Sequence, residues 1–275
     1  MVPTLLIFSI SAQCQYYYKD VVEGRFMNER IRSYVLQNVQ SVTANGYDAR
    51  GAKSADFNEY QDLFPTQRLL RITTRNGQQV NRQYFRFDEQ QRLVSITDTI
   101  DDVRTIITYT YDNRGNISTF RSSVNDPEAQ YSGNEERQWV YDGNGRPQRM
   151  WRIVNGTDSS EYRFTHDDKG NVVMEQMFKR DYGFDSVMYY YDEKNRLTDV
   201  VRYDKRVKQL LPDFMFEYDD QDRIIQKITI VSTTNRDYLI WRYLFNEKGL
   251  KTKEALFNKN KELTGRIEYT YNFTP

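Results

Sequence analysis

The sequence is short of the residues that most often carry chemistry. It holds one cysteine, Cys14, and one histidine, His166. If export cleavage follows Cys14, the remaining chain has no thiol, which removes disulfides, metal–thiolate sites and thiol catalysis together. No G-x-S-x-G places a nucleophile on a strained turn. The segment DDQDR lacks the glycine and the terminal glutamate of a calcium loop. No glycine-rich stretch stands at a strand-to-helix junction to cradle phosphate. Charge of one sign is lacking too: 39 basic and 39 acidic residues cancel without a long single-sign run. That excludes a nucleic-acid stripe and a polybasic membrane patch. The one apolar opening, VPTLLIFSISAQCQ, is too short to cross a bilayer as a helix. It ends in the small-x-small pattern Ala12-Gln13-Cys14, so residues 1–14 are read as an export signal.

What the chain has in quantity is aromatic residues, with 22 tyrosines in 275 positions. They recur in phase. Aligned on an acidic or amide anchor, the chain reads YFRFDEQQRL at Asp88, YTYDNRGNI at Asp112, WVYDGNGRP at Asp142 and FTHDDKGNV at Asp167. It continues with YYYDEKNRL at Asp192, FEYDDQDRI at Asp219, YLFNEKGLK at Asn246 and YTYN at Asn272, at steps of 24, 30, 25, 25, 27, 27 and 26 residues. A period of this length marks a repeat architecture.

Each unit spells a β-hairpin. Before the anchor the residues alternate, Tyr109 and Tyr111 on one side and Thr108 and Thr110 on the other, as a strand requires. The anchor carboxylate can accept bonds from the turn's own amides. The slot three residues later calls for positive φ, and it holds Gly115, Gly145, Gly170, Gly249, Asn195 and Asp222, with Gln91 the misfit. A second strand follows, as in Ile117 to Phe120 or Ile224 to Val231. Pro147 and Lys251 weaken two of these second strands. One hairpin cannot offset its own ordering entropy, so neighbours must share buried faces.

These units resemble the YD-repeat (Rhs-repeat) family, whose pattern is aromatic-x-Tyr-Asp-x-x-Gly-Arg/Asn-hydrophobic. Tyr109/Tyr111/Asp112/Gly115/Asn116, Trp139/Tyr141/Asp142/Gly145/Arg146 and Tyr189/Tyr191/Asp192/Asn195/Arg196 carry the resemblance. It implies a β-strip that spirals into a hollow shell in large secreted or surface members. This chain resembles a short member, with no toxin segment after Asn272. The expected fold is therefore all-β: consecutive antiparallel hairpins of about 26 residues forming a long, twisted, curled meander sheet, open or partly curled. The expected organisation is residues 1–14 as signal, 15–56 as an N-terminal cap that includes a strand at Ile31 to Val42, and 57–275 as the repeat sheet. Tyr47-Asp48-Ala49-Arg50-Gly51 echoes the turn within that cap.

Function is less legible. His166 fills the slot that Tyr111, Tyr141, Tyr191 and Tyr218 fill elsewhere, a ring in place of a ring. The acidic pairs Asp101-Asp102, Asp167-Asp168 and Asp219-Asp220 belong to turns. No catalytic residue, cofactor or metal ligand is assigned. Trp151, Tyr190 and Tyr203 are the candidates for a binding platform, flat aromatic surface with a polar rim. The expectation is a secreted or envelope scaffold of a bacterium that presents a β-surface to a protein or glycan, with strand edges that self-associate unless covered. The alternatives are a carbohydrate-active enzyme with carboxylates in the curl and an outer-membrane barrel, suggested by the aromatic end YTYNF.

Overall fold

The computed structural model describes residues 16–180, 182–204, 208–232 and 237–274; residues 1–14, read as an export signal, lie outside this range. Helix α1 (Tyr18–Leu36) comes first. Eighteen strands follow: β1 (Val39–Asp48), β2 (Lys53–Phe64), β3 (Leu69–Asn76), β4 (Gln79–Phe87), β5 (Leu93–Ile100), β6 (Val103–Tyr111), β7 (Ile117–Asp126), β8 (Tyr131–Tyr141), β9 (Pro147–Val154), β10 (Asp158–His166), β11 (Val172–Lys179), β12 (Tyr182–Tyr191), β13 (Leu197–Asp204), β14 (Gln209–Tyr218), β15 (Ile224–Ser232), β16 (Asp237–Phe245), β17 (Lys251–Phe257) and β18 (Leu263–Phe273). Each strand pairs antiparallel with its neighbours in sequence, and β18 returns to pair with β1.

The hairpins are where the repeat puts them, but the sheet is not an open strip. It is a closed barrel. The seam sets Thr43 opposite Thr270 and Ala44 opposite Tyr269, so none of the described strands offers a free edge and edge pairing between chains has no template. Asn272 makes no turn. It lies in β18, its side-chain amide donating to Ser41 Oγ across the seam. The cap reading also changes: residues 39–64 are β1 and β2, full staves of the barrel, and the strand expected at Ile31 to Val42 is helix as far as Leu36.

The corners explain the curl. At Asp192 one carboxylate oxygen accepts the amides of Lys194 and Arg196, both at 2.9 Å, while Asn195 N–H donates to the Asp192 carbonyl at 3.0 Å. Asp88, Asp112, Asp142, Asp219 and Asn246 repeat this pair of side-chain bonds, and Asp48 and Asn258 do so at the opposite end of the barrel. Position three after the anchor has positive φ throughout; even Gln91 adopts 59°. Beside each of the seven corners from Asp88 to Asn246 the register slips by one residue: Thr110 faces Thr119, but Tyr111 faces Ile117. A bulge bends its strand and tightens the twist; seven lie beside the corners at this end, and two more lie beside the Asp48 and Asn258 corners at the other.

A second device ties unit to unit. The Tyr111 hydroxyl donates to the Leu93 carbonyl at 2.7 Å, Tyr141 to Ile117 at 2.9 Å, Tyr191 to Val172 at 2.9 Å, Tyr218 to Leu197 at 2.8 Å and Tyr271 to Lys251 at 2.8 Å. The acceptor is always the residue that opens the second strand of the preceding unit. His166 makes the equivalent contact with the Pro147 backbone, and burial holds its pKa below the ordinary histidine value. Pro147 suits that place, since it starts β9 and only its carbonyl is used. Burial lifts the Tyr218 hydroxyl to about 12, which keeps it a donor at neutral pH. Arginines four residues after the anchors stack on the next unit's ring: Arg92 on Tyr111 at 4.5 Å, Arg196 on Tyr218 at 4.8 Å and Arg223 on Phe245 at 4.8 Å.

Two outcomes follow from these corners. Tyr191→Phe and Tyr218→Phe should each lower unfolding free energy by about 1 kcal/mol in urea titrations, the net worth of one buried hydrogen bond; no change would deny the ties their role. The carboxyls of Asp142 and Asp192 are held below the usual range chiefly by backbone amides, and that of Asp167 by the Asn171 side chain. A depressed folded pKa gives stability that is present above the unfolded value and is lost as pH falls through the folded one. Stability should therefore drop between about pH 5 and pH 2, and Asp192→Asn, which keeps the backbone bonds as Asn246 does, should make that acid limb shallower.

Candidate functional site

The candidate site is the lumen, and α1 occupies it. From Tyr16 to Gln37 the helical segment touches strands all the way round the ring, which only an interior position allows. Tyr16 packs on Tyr189 and Phe214 with ring centroids 6.2 and 5.6 Å apart, and Tyr17 meets Tyr162 edge-on at 4.5 Å. The Leu93 amide donates to Asn28 Oδ1 at 2.8 Å. Tyr34 stands edge-on to Tyr271 at 6.1 Å, and the Gln37 side chain donates to the Lys248 carbonyl at 3.1 Å. The helix begins beside β11 and ends beside β2 and β18. In a ring of eighteen strands, β11 and β2 are half a turn apart, so α1 crosses the barrel from wall to wall, on the side of the seven bulged corners.

Charged groups contact the wall at four places. At the N-terminus the buried Glu175 carboxylate accepts the amides of Tyr17 at 2.9 and 3.0 Å and of Tyr18 at 2.9 Å, and the Tyr189 hydroxyl at 2.8 Å. A strand thus supplies the acceptor that Tyr17, the helix's own cap residue, does not. Burial pushes the Glu175 carboxyl up and the amide bonds pull it back. One turn on, Asp20 takes both oxygens to Arg137 Nη1 at 2.6 and 2.7 Å; Arg137 Nε reaches Glu135 at 2.6 Å, and Glu135 also holds Arg152 at 2.6 Å. Two acids and two bases alternate along this chain, so its charge cancels inside the wall. Near the C-terminus Arg30 donates to Gln61 Oε1 at 2.6 Å with Tyr34 at 3.1 Å, while Gln61 donates to Glu59 at 2.7 Å and Thr74 to Glu59 at 3.1 Å. Between them Glu23 faces Lys227 of β15. Glu23 is on the exposed side of the helix; the surrounding protein partly desolvates both groups, raising the carboxyl and lowering the ammonium group, and the charge of each favours the ionised form of the other.

The outer wall has a different character. Arg71 pairs with Asp62, Arg121 with Glu136, Arg149 and Arg163 with Glu161, and Lys253 and Arg266 with Glu268. By alternation these residues share the outward face of their strands with Thr73, Thr119 and Thr270. The three aromatics proposed as a platform are also on this wall, but they are not brought together. Trp151 lies on β9 opposite Gln138 and Glu161. Tyr190 and Tyr203 are on adjacent strands, opposite Asp199 and Leu210. His166 lies inward in its tyrosine slot, and Asp167 and Asp219 are at corners, each engaged by its own turn.

Sequence reasoning missed α1 and the charged ring that seats it. The helix was readable in the spacing of Tyr18, Val21, Val22, Ile31, Tyr34 and Val35. The buried charges had a subtler signal, Arg137 and Glu175 standing at positions whose alternation marks them as inward.

No family model matches the chain, and no curated protein matches it. Among solved structures it is similar to a porin-like protein from Bacteroides uniformis, at 8% identity and a TM-score of 0.41 over 86% of this chain and 97% of that one. It is also similar to the Photorhabdus luminescens Tc holotoxin pore, at 14% identity and a TM-score of 0.34, and to a TcdB2–TccC3 structure, at 8% and 0.31. The chain covers 11% and 20% of those two toxin chains. Likenesses this distant carry no argument about function, which rests on the residues themselves.

If the buried ion pairs seat α1, then Asp20→Ala, which leaves Arg137 with one partner, should cost about 3 kcal/mol or more. Limited proteolysis should then cut first within 18–36. An unchanged melting temperature and cleavage pattern would contradict this seating.

Proposed function

We propose that this chain is a water-facing β-barrel scaffold of the bacterial envelope or exterior, filled by its own helix and presenting its outer wall to a protein or glycan. The observation that carries the reading is the ion-paired outer wall. A spanning barrel turns an apolar band to lipid, where each arginine at mid-depth costs about 2–4 kcal/mol. Here Arg71, Arg121, Arg149 and Arg163 face outward within their strands, each with a carboxylate beside it. The outer-membrane alternative shares the closed, even-numbered, antiparallel barrel, and the lipid-facing wall is where the two readings part.

The resemblance to YD repeats supports a scaffold role, since every anchor from Asp88 to Asn246 is used to shape a corner. It also makes an enzymatic role the weaker proposal: the strongest buried carboxylates, Glu175, Asp20 and Glu59, are engaged by amides, arginine or hydroxyl groups. Expression without residues 1–14 tests the reading. The chain should purify in buffer free of detergent, fold with a strand-dominated circular dichroism spectrum and leave planar bilayers without conductance. A chain that folds only in detergent, or that opens discrete channels, would establish the membrane alternative.

A further inference from the structure

The outer wall is not uniform around the ring. The ion pairs named above lie on β2–β3, β7–β10 and β17–β18. None of those pairs lies on the outer face of β12 to β16; the Arg202–Asp213 pair of β13 and β14 stands beside Tyr16 on the inner side. That sector carries Tyr190, Tyr203, Leu210, Met215 and Leu244, each between 38% and 58% exposed. Register and alternation set them along one face, not side by side: Asp199 separates Tyr190 from Met215, Met215 is opposite Ile228 and Ile228 opposite the buried Ile240, while Tyr203 is opposite Leu210 toward the far end. The stripe runs the height of the barrel, from Tyr190 and Leu244 beside the corners to Tyr203 and Leu210 at the far end. Beyond the stripe Tyr182 and Phe184 are exposed together at the far end of β12, while Tyr60 and Val140 are isolated.

We propose that this stripe is the face through which two copies of the chain associate, side by side, about a two-fold axis running along β15. The inference rests on the water-facing reading of the wall. Three observations choose a second copy as the occupant. The exposed side chains of the stripe present on the order of 600 Å² of mostly apolar surface, the top of the range for a monomer's largest patch. That is most of the roughly 800 Å² each partner gives a stable interface. It combines two tyrosines, two leucines and a methionine around one carboxylate, Asp199, a mixture of aromatic and aliphatic groups that suits an interface centre. Its charges are arranged to meet their own image. Glu217 on β14 and Arg242 on β16, both exposed, stand in one register row on either side of Gln226 of β15. A two-fold axis over β15 lays the acidic flank of each copy against the basic flank of the other, as an isologous contact requires. A bilayer surface would take the apolar stripe but gives no use for acids on one flank.

Sedimentation velocity on the chain without residues 1–14 tests this. The wild type should be a dimer at about 10 μM. Met215→Glu and Leu244→Glu should each weaken it at least about tenfold with unchanged melting temperature, by desolvating a carboxylate at the contact. Glu217→Arg should also weaken it, and combining it with Arg242→Asp should restore it, which loss of folding could not mimic. A soluble chain that stays monomeric up to about 100 μM, or a dimer indifferent to all four substitutions, would overturn the proposal and leave the scaffold reading standing. Flotation of a monomer with anionic vesicles would overturn it as well, and a chain that needs detergent would overturn both.

Discussion

A carboxylate oxygen that holds two backbone amides is the constraint from which the rest of this molecule follows. It closes each turn over a residue of positive φ, and the turn it closes delivers the chain into a register slip. One slip would be a local irregularity. Seven beside the corners at one end, with two more beside the Asp48 and Asn258 corners at the other, bend and twist the sheet along its whole course. Because a strand's side chains alternate, the slip also decides which residues face inward: the ring before the anchor lands where it can reach the preceding unit's first carbonyl, and the arginine after it lands over the next ring. The acid, the aromatic and the arginine of the repeat are therefore three parts of one joint.

Closure creates a second problem, which α1 solves. A ring this wide cannot be filled by side chains of its own wall alone, and larger barrels keep a polar lumen or a plug. Here a helix crosses it. A helix inside a barrel has no solvent to satisfy its first amides, so the wall must supply an acceptor, and Glu175 does so. The Asp20–Arg137–Glu135–Arg152 series brings no net charge into the interior, and that balance lets four ionised groups sit there. Plug and wall are thus matched at particular residues, and losing one partner strands the other.

Much of the wall was legible in the sequence and its topology was not. Local bonds write local signals: the Asp112 corner, the alternation of Tyr109 and Tyr111 and the positive-φ slot at Gly115 all depend on residues within a few positions of each other. The seam depends on residues 39–48 meeting 265–273, and no short-range pattern encodes that meeting. The reading of an open strip failed because a bulge leaves no mark in the spacing of anchors; Ser118 looks like any polar strand residue, although it is the one left over when Tyr111 pairs with Ile117. The helix was passed over because its apolar stripe is interrupted by Asp20, Glu23 and Arg30, and those interruptions are its contacts with the lumen. For the outer surface, Trp151, Tyr190 and Tyr203 were visible as aromatics standing against the alternation, while their separation on the wall needed the register.

Closure of the ring is the claim on which corners, plug and wall all depend, and a covalent bridge across the seam tests it most directly. With Cys14 replaced by serine, Thr43→Cys and Thr270→Cys place two thiols at paired positions of β1 and β18. Mild oxidation should form an intramolecular disulfide in nearly all of the chain, raise its stability by up to about 5 kcal/mol, the loop-closure value for a loop of this length, and leave the circular dichroism unchanged. Free thiols after oxidation, or bridges only between chains, would show that the two strands do not meet.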